Sequence, residues 1–219
     1  MTRSISKLAA MAMLAATPLF AEAQTASDGR IGRIGVMGGV NIAKLTGDNF
    51  DDVDSRIGPM VGLSYVRYAP GGLGFEIDAL YSAKGVKDSE EGADITFKLN
   101  YLELPLLARY DFKSASSTRV HLVAGPSLAL RAGCSIEGKA EGVDVSLDCD
   151  DVAETFDGEI SSFDVGLTAG GGVDFAVGRN TFTLGARFTQ GLLNIADGDG
   201  DAKNRTISVF AGVSMPLRR

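Results

Sequence analysis

Apolar and polar residues alternate along most of this chain at every second position, not with the 3.6-residue repeat of a helix. Eight such runs stand out: Ile34–Ala43, Ile57–Tyr68, Leu73–Lys84, Ile95–Asp111, Val120–Ala132, Ser161–Phe175, Thr181–Leu193 and Thr206–Leu217. Period two puts successive side chains on opposite faces of an extended strand, so each run predicts a strand with one apolar face. The gaps between runs alternate in length. Ala69–Gly72, Phe112–Arg119 and Ala176–Asn180 are short, while Lys44–Arg56, Gly85–Asp94, Gly133–Ile160 and Asn194–Arg205 are long. In an up-and-down antiparallel sheet every second connection falls at the same end. The expected fold is therefore all-β: an eight-stranded antiparallel up-and-down transmembrane β-barrel with short periplasmic turns and long extracellular loops.

Charge follows the same division. Twenty acids lie in the four long gaps, whereas the short gaps hold only Lys113, Arg119 and Arg179. Within the runs, the more apolar parity is assigned to the outside: Phe75, Ile77, Ala79 and Tyr81 in the third, Leu102, Leu104, Leu106 and Ala108 in the fourth, Phe163, Val165, Leu167, Ala169 and Val173 in the sixth. Glu76, Asp78, Glu103, Asp111, Asp164 and Asp174 then face inward, with Lys84, Arg109, Arg131 and Arg187. A charge facing lipid at mid-depth costs ~2–4 kcal/mol, so an ionisable stripe belongs in the lumen. Ion pairs are expected between Glu103 or Asp164 and Arg187 or Arg109. Arg67 and Lys98 have outer parity but lie near run ends, where long side chains snorkel to water. Phe75, Tyr110, Phe175 and Phe182 share outer parity within a few residues of a short gap, as in an interfacial aromatic girdle.

Met1–Ala23 has the form of a cleaved export signal: Arg3 and Lys7, an apolar stretch Leu8–Phe20, then Ala21-Glu22-Ala23. The expected organisation is a signal peptide, 1–23, followed by a single barrel domain, 24–219. Outside the signal, no apolar stretch reaches the ~18 residues of a membrane helix. The net charge of −7 argues against a nucleic-acid partner. The single histidine, His121, is expected beside a short turn, far from the long gaps, so neither a catalytic set nor a metal set is assembled and no cofactor motif is present. Cys134 and Cys149 lie in the longest gap, and in an exported protein they are expected to form a disulfide. Asp197–Asp201 (DGDGD) looks like half a calcium loop but lacks the bidentate twelfth ligand, where Ser208 stands.

Five segments in order carry a resemblance: Gly35–Ala43 (GVMGGVNIA), Phe75–Gly85 (FEIDALYSAKG), Tyr101–Tyr110 (YLELPLLARY), Val123–Ser127 (VAGPS) and Phe163–Phe175 (FDVGLTAGGGVDF). Together they resemble the outer-membrane β-barrel porin family, and within it the PorT-like group. The resemblance spans nearly all of the chain after the signal and implies a small eight-stranded barrel in the bacterial outer membrane. It implies architecture more than activity. Phe210–Leu217 (FAGVSMPL) resembles a barrel-assembly signal, which implies the barrel-assembly machinery as a partner; it departs from the pattern at Phe210 and in ending on Arg218-Arg219.

Eight strands enclose a space that side chains just fill. The leading expectation is thus a non-enzymatic outer-membrane barrel with a side-chain-filled lumen, serving structure or surface interaction and contacting outer-membrane lipids and lipopolysaccharide. Three alternatives stay open: a narrow ion or small-solute channel, a soluble periplasmic lipocalin-like barrel with its apolar parity inward, and a rim enzyme using Ser161, Ser162 or Glu159.

Overall fold

The computed structural model describes residues 30–47, 54–90, 93–112, 117–140, 143–149, 161–194 and 202–218. The expected signal segment 1–23, Glu159 and Asp197–Asp201 lie outside the described residues. Nine strands follow in order: β1 Arg30–Thr46, β2 Asp54–Tyr68, β3 Leu73–Glu90, β4 Ala93–Asp111, β5 Thr118–Ala140, β6 Val143–Asp148, β7 Phe163–Val177, β8 Asn180–Gly191 and β9 Lys203–Arg218. Each pairs antiparallel with its neighbours, β9 returns to β1, and β4 pairs with β5. Eight strands thus close into a ring, and β6 stands outside it, paired with the far end of β5. Closure leaves the eight ring strands without an edge, which removes the unpaired backbone groups that lipid cannot satisfy.

The two faces are sorted in the sense expected of a membrane barrel. Val36, Leu102, Leu104 and Leu167 lie open on the outside, whereas Asp78, Arg109, His121 and Asp174 are each at most 3% exposed. A soluble barrel requires the reverse, because apolar side chains left in water and charges sealed inside both cost free energy. That sorting removes the lipocalin-like alternative. The aromatic positions also cluster at one end. Tyr110, Phe175 and Phe182 face outward, Tyr65 meets Phe75 at 6.0 Å between ring centroids, and Tyr110 meets Phe112 edge-on at 5.0 Å. Between β2 and β3 the chain reverses through Pro70–Gly72, where Gly71 and Gly72 take φ of 82° and 89°, values that favour glycine.

Two sequence expectations need correction. First, strands extend into the long gaps: β3 runs to Glu90 and β4 starts at Ala93, so the third run's gap is almost all ladder, while β5 runs to Ala140 and β9 starts at Lys203. The 133–160 gap contains the β5–β6 hairpin. The alternation fails to signal these extensions because the pattern itself changes. Opposite Asn100 and Tyr101, the partners on β5 jump from Gly133 to Arg131, so Ala132 is an extra, bulged residue that shifts the parity of everything after it. At the same level the polarity inverts. Below the bulge the inner face carries the buried charges, with an apolar patch of Met37, Met60, Leu80 and Phe210 among them, and the outer face is apolar. Above it Leu99, Cys134 and Cys149 are buried on the inner side, while Lys98, Ser135 and Asp148 stand on the outer one. Second, Lys98 is not at a strand end. It lies inside β4, where Glu137 on the extended β5 neutralises it. Arg67 is the penultimate residue of β2 and is exposed, as expected of a snorkelling side chain.

Candidate functional site: the lumen and its mouth

The inward side chains form tiers along the barrel axis. In the tier nearest the short turns, Arg109 is the hub. Its Nη1 donates to Glu76 at 2.8 Å, its Nε and Nη2 grip both oxygens of Asp111 at 3.0 and 2.9 Å, and Nη2 also reaches Asp174 at 2.7 Å. The planar fork of arginine is suited to this multiple grip. Asp174 accepts further bonds from Arg33 and from the Thr183 hydroxyl, both at 2.7 Å. Arg33 also lies over the Tyr68 ring, 5.2 Å from its centroid. Asp111, His121 and Asp174 bring one nitrogen and two carboxylates within metal-binding reach of one another. The carboxylates, however, are already held by Arg109 and Arg33, and two guanidinium charges there oppose a cation.

Glu76 links this tier to the next, since it also accepts from Arg187, whose Nη1 donates to Asp78 at 2.6 Å. The Arg187 guanidinium stacks over Phe210 at 4.7 Å. Glycines make the room: a Cβ at Gly185 would lie 2.5 Å from the Phe210 ring, and one at Gly170 would lie 2.8 Å from the Arg187 side chain. Further along, Asn41 donates to Ser82 and accepts from Ser208, both at 2.7 Å, bridging β1, β3 and β9. Lys84 pairs with Glu103 and lies over Tyr101 at 5.6 Å. Asp164 accepts from Asn204 at 3.0 Å, and Asn204 also reaches the Tyr101 hydroxyl. The mouth beyond is apolar. Leu45, Val86, Leu99, Tyr101, Ala202 and the disulfide Cys134–Cys149 form one buried cluster. A cavity left between Arg33, Glu76, Arg109, Thr183 and Phe210 measures about 20 Å³, room for roughly one water.

The charged side chains singled out from parity all lie on lumen-facing positions, with Arg131 the one left half-buried. Their partners differ from expectation. Neither Glu103 nor Asp164 meets Arg109 or Arg187; Glu103 takes Lys84, and Asp164 takes Asn204. Register explains this. Glu103 is six residues from Arg109 on β4, and Asp164 is six from Gly170, the residue opposite Arg187. At ~3.3 Å per residue both separations are roughly 20 Å. Parity assigns a face but not a depth. Sequence reasoning also passed over Arg33 and the Asn41–Ser82–Ser208 bridge, and it set His121 beside a short turn without assigning it to the lumen. Extending the alternation of β1 by one residue would have placed Arg33 inside, and His121 stands opposite Asp111 on a neighbouring strand. Phe210, a departure from the assembly pattern, occupies a lumen position under Arg187.

Comparison with known proteins decides the family. The model of the outer membrane protein beta-barrel domain matches residues 22–197. The chain belongs to this outer-membrane β-barrel family. Its place is the bacterial outer membrane. The outer membrane protein OprG from Pseudomonas aeruginosa superposes with a TM-score of 0.52 at 13% identity, over 87% of this chain and 98% of that one. Neisserial surface protein A gives 0.48 at 20% identity, over 84% and 97%. No curated protein sequence matches. The family match stops before β9, which joins β8 to β1 and closes this family member's ring.

Proposed function

We propose that this outer-membrane barrel is a non-enzymatic, non-conducting protein of the PorT-like group that works through its extracellular surface. One observation carries the reading. A path through the lumen would have to break the Arg109 and Arg187 networks and then pass the apolar cluster around Cys149. Buried pairs of this kind resist disruption, because a charge that loses its partner in a dry site keeps its desolvation cost. Catalysis is disfavoured by placement: Ser161 and Ser162 stand before β7, whereas His121 is opposite Gly172, at the other end of that strand. The lipid-facing belt is suited to outer-membrane acyl chains, the acidic rim to lipopolysaccharide bridged by divalent cations, and Phe210–Leu217 to the assembly machinery. The test is planar-bilayer recording of the purified, oxidised barrel. The expected result is a stable bilayer current at baseline. Reproducible unitary steps would instead make it a channel.

A further inference from the structure

The ring closes where β1 meets β9, and the outer face of that seam carries a charge arrangement that the lumen does not explain. Its lower part is apolar and exposed: Ile34, Val36, Val40 and Ile42 on β1, Ile207 and Val209 on β9. The next outward position on each strand breaks the series, with Lys44 on β1 and Arg205 on β9, both exposed and paired directly opposite each other by the register. Ile34 stands opposite Tyr65 of the aromatic cluster near the short turns. From Ile34 to Lys44 the strand rises roughly 25 Å along the axis, at ~3.3 Å per residue and a tilt of about 40°, which is the height of a lipid-facing band. The pair therefore stands at the headgroup level of the outer leaflet.

Like charges directly opposite on neighbouring strands repel, and snorkelling accounts for either residue singly but not for their opposition. Among the described residues no carboxylate pairs with either. Arg205 is also held in place. Its Nε donates to Gln190 Oε1 at 3.0 Å, while the Gln190 amide nitrogen donates to the Gly191 and Asn204 carbonyls at 3.1 and 3.4 Å. Both Nη atoms of Arg205 and the Nζ of Lys44 are left for a third group. An anion between them turns repulsion into two attractions, and a guanidinium fork beside an ammonium suits a phosphate. The flank below selects a lipid-borne one: Phe188, Ile207 and Ile42 form the adjoining row of the outer face, where acyl chains lie. We propose that Lys44 and Arg205 clasp a phosphate of an outer-leaflet glycolipid, and that this phosphate locks the seam between the first and last strands. This deepens the lipopolysaccharide contact of the surface reading and rests on it. The two fail separately, because conductance tests that reading and lipid-dependent stability tests this site.

The test uses the folded full chain in phosphatidylcholine vesicles containing graded amounts of lipid A, with dephosphorylated lipid A and inorganic phosphate as separate arms and EDTA present throughout. The urea midpoint of unfolding is read from the gel shift between unheated and heated samples, and its dependence on lipid content gives an apparent affinity. Lipid A is expected to raise the midpoint, while dephosphorylated lipid A and inorganic phosphate leave it in place. Lys44→Gln and Arg205→Gln should each weaken the apparent affinity about tenfold, the loss of one hydrogen bond to a charged group. Lys44→Glu supplies the missing anion from the chain itself. It should match or exceed the parent midpoint without lipid A and lose the response to lipid A, a pair of effects that simple misfolding does not produce. The heat-modifiable band reports that each variant folds. An equal response to dephosphorylated lipid A, an equal response to inorganic phosphate, a response that appears only when magnesium replaces EDTA, or an undiminished response in folded Lys44→Glu would each overturn the proposal.

Discussion

Replacing Arg109 with leucine removes the hub of the lumen network while leaving a side chain that fits the space. The consequences differ among its three acids. Glu76 keeps Arg187 and Asp174 keeps Arg33 and Thr183, but Asp111 loses both of the bonds shown for it. One carboxylate is therefore stranded at 5% exposure. Breaking one side of a buried pair costs about 3–5 kcal/mol, mainly as the desolvation of the charge left behind. With an unfolding slope of about 2 kcal/mol per molar urea, the midpoint falls by roughly 2 M. Urea titration in lipid vesicles, read by the gel shift between unheated and heated samples, measures it. Adding Asp111→Asn to the variant removes the stranded charge and should restore a large share of the loss, a coupling that a double-mutant cycle isolates. A loss under about 1 kcal/mol would refute the reasoning. Water would then be replacing the guanidinium, and the lumen would be a hydrated passage instead of a packed interior.

Other consequences are open to simpler measurement. Leu104→Arg or Leu167→Arg places a charge against lipid and should lower stability by ~2–4 kcal/mol, whereas the same change at exposed Leu147, above the membrane, should cost far less. Reducing Cys134–Cys149, which closes a separation of 15 residues, should lower stability by up to about 3 kcal/mol in the chain-entropy picture and expose the β5–β6 hairpin to protease while the ring stays heat-modifiable. Gly185→Val forces a side chain against Phe210 and should cost about 1–3 kcal/mol, with Phe210→Ala in the same chain recovering part of it; no recovery would mean the clash is relieved elsewhere.

How far the sequence led depends on what each signal measures. Alternation reports which face a side chain takes, and it placed Glu76, Asp78, Arg109, Asp174 and Arg187 inside without any structure. It carries no information on height along the axis. Pairing partners such as Lys84 for Glu103 depend on register, which is set by turn lengths and by bulges that a single sequence does not announce. It also assumes a constant solvent on each side. That assumption holds only within the lipid belt.

The bulge at Ala132 is where the assumption ends, and its position has a physical logic. Within the membrane the outer face must be apolar, and the ring tolerates charge inside because Arg33, Arg109 and Arg187 balance the acids. Beyond the headgroups water bathes the outer face, so apolar residues gain more by turning inward, where Leu99 and Cys134 seal the mouth. A strand that simply continued its alternation would carry apolar side chains outward into water. One extra residue in β5 reverses the parity, while β4 achieves the same inversion through sequence alone, changing from Leu102 outside to Leu99 inside. The run ending at Ala132 was thus a change of solvent, not the end of a strand. The apolar side chains left half-open at Ile95, Val145 and Leu147 are what that inversion produces where the hairpin outruns the cluster beneath it.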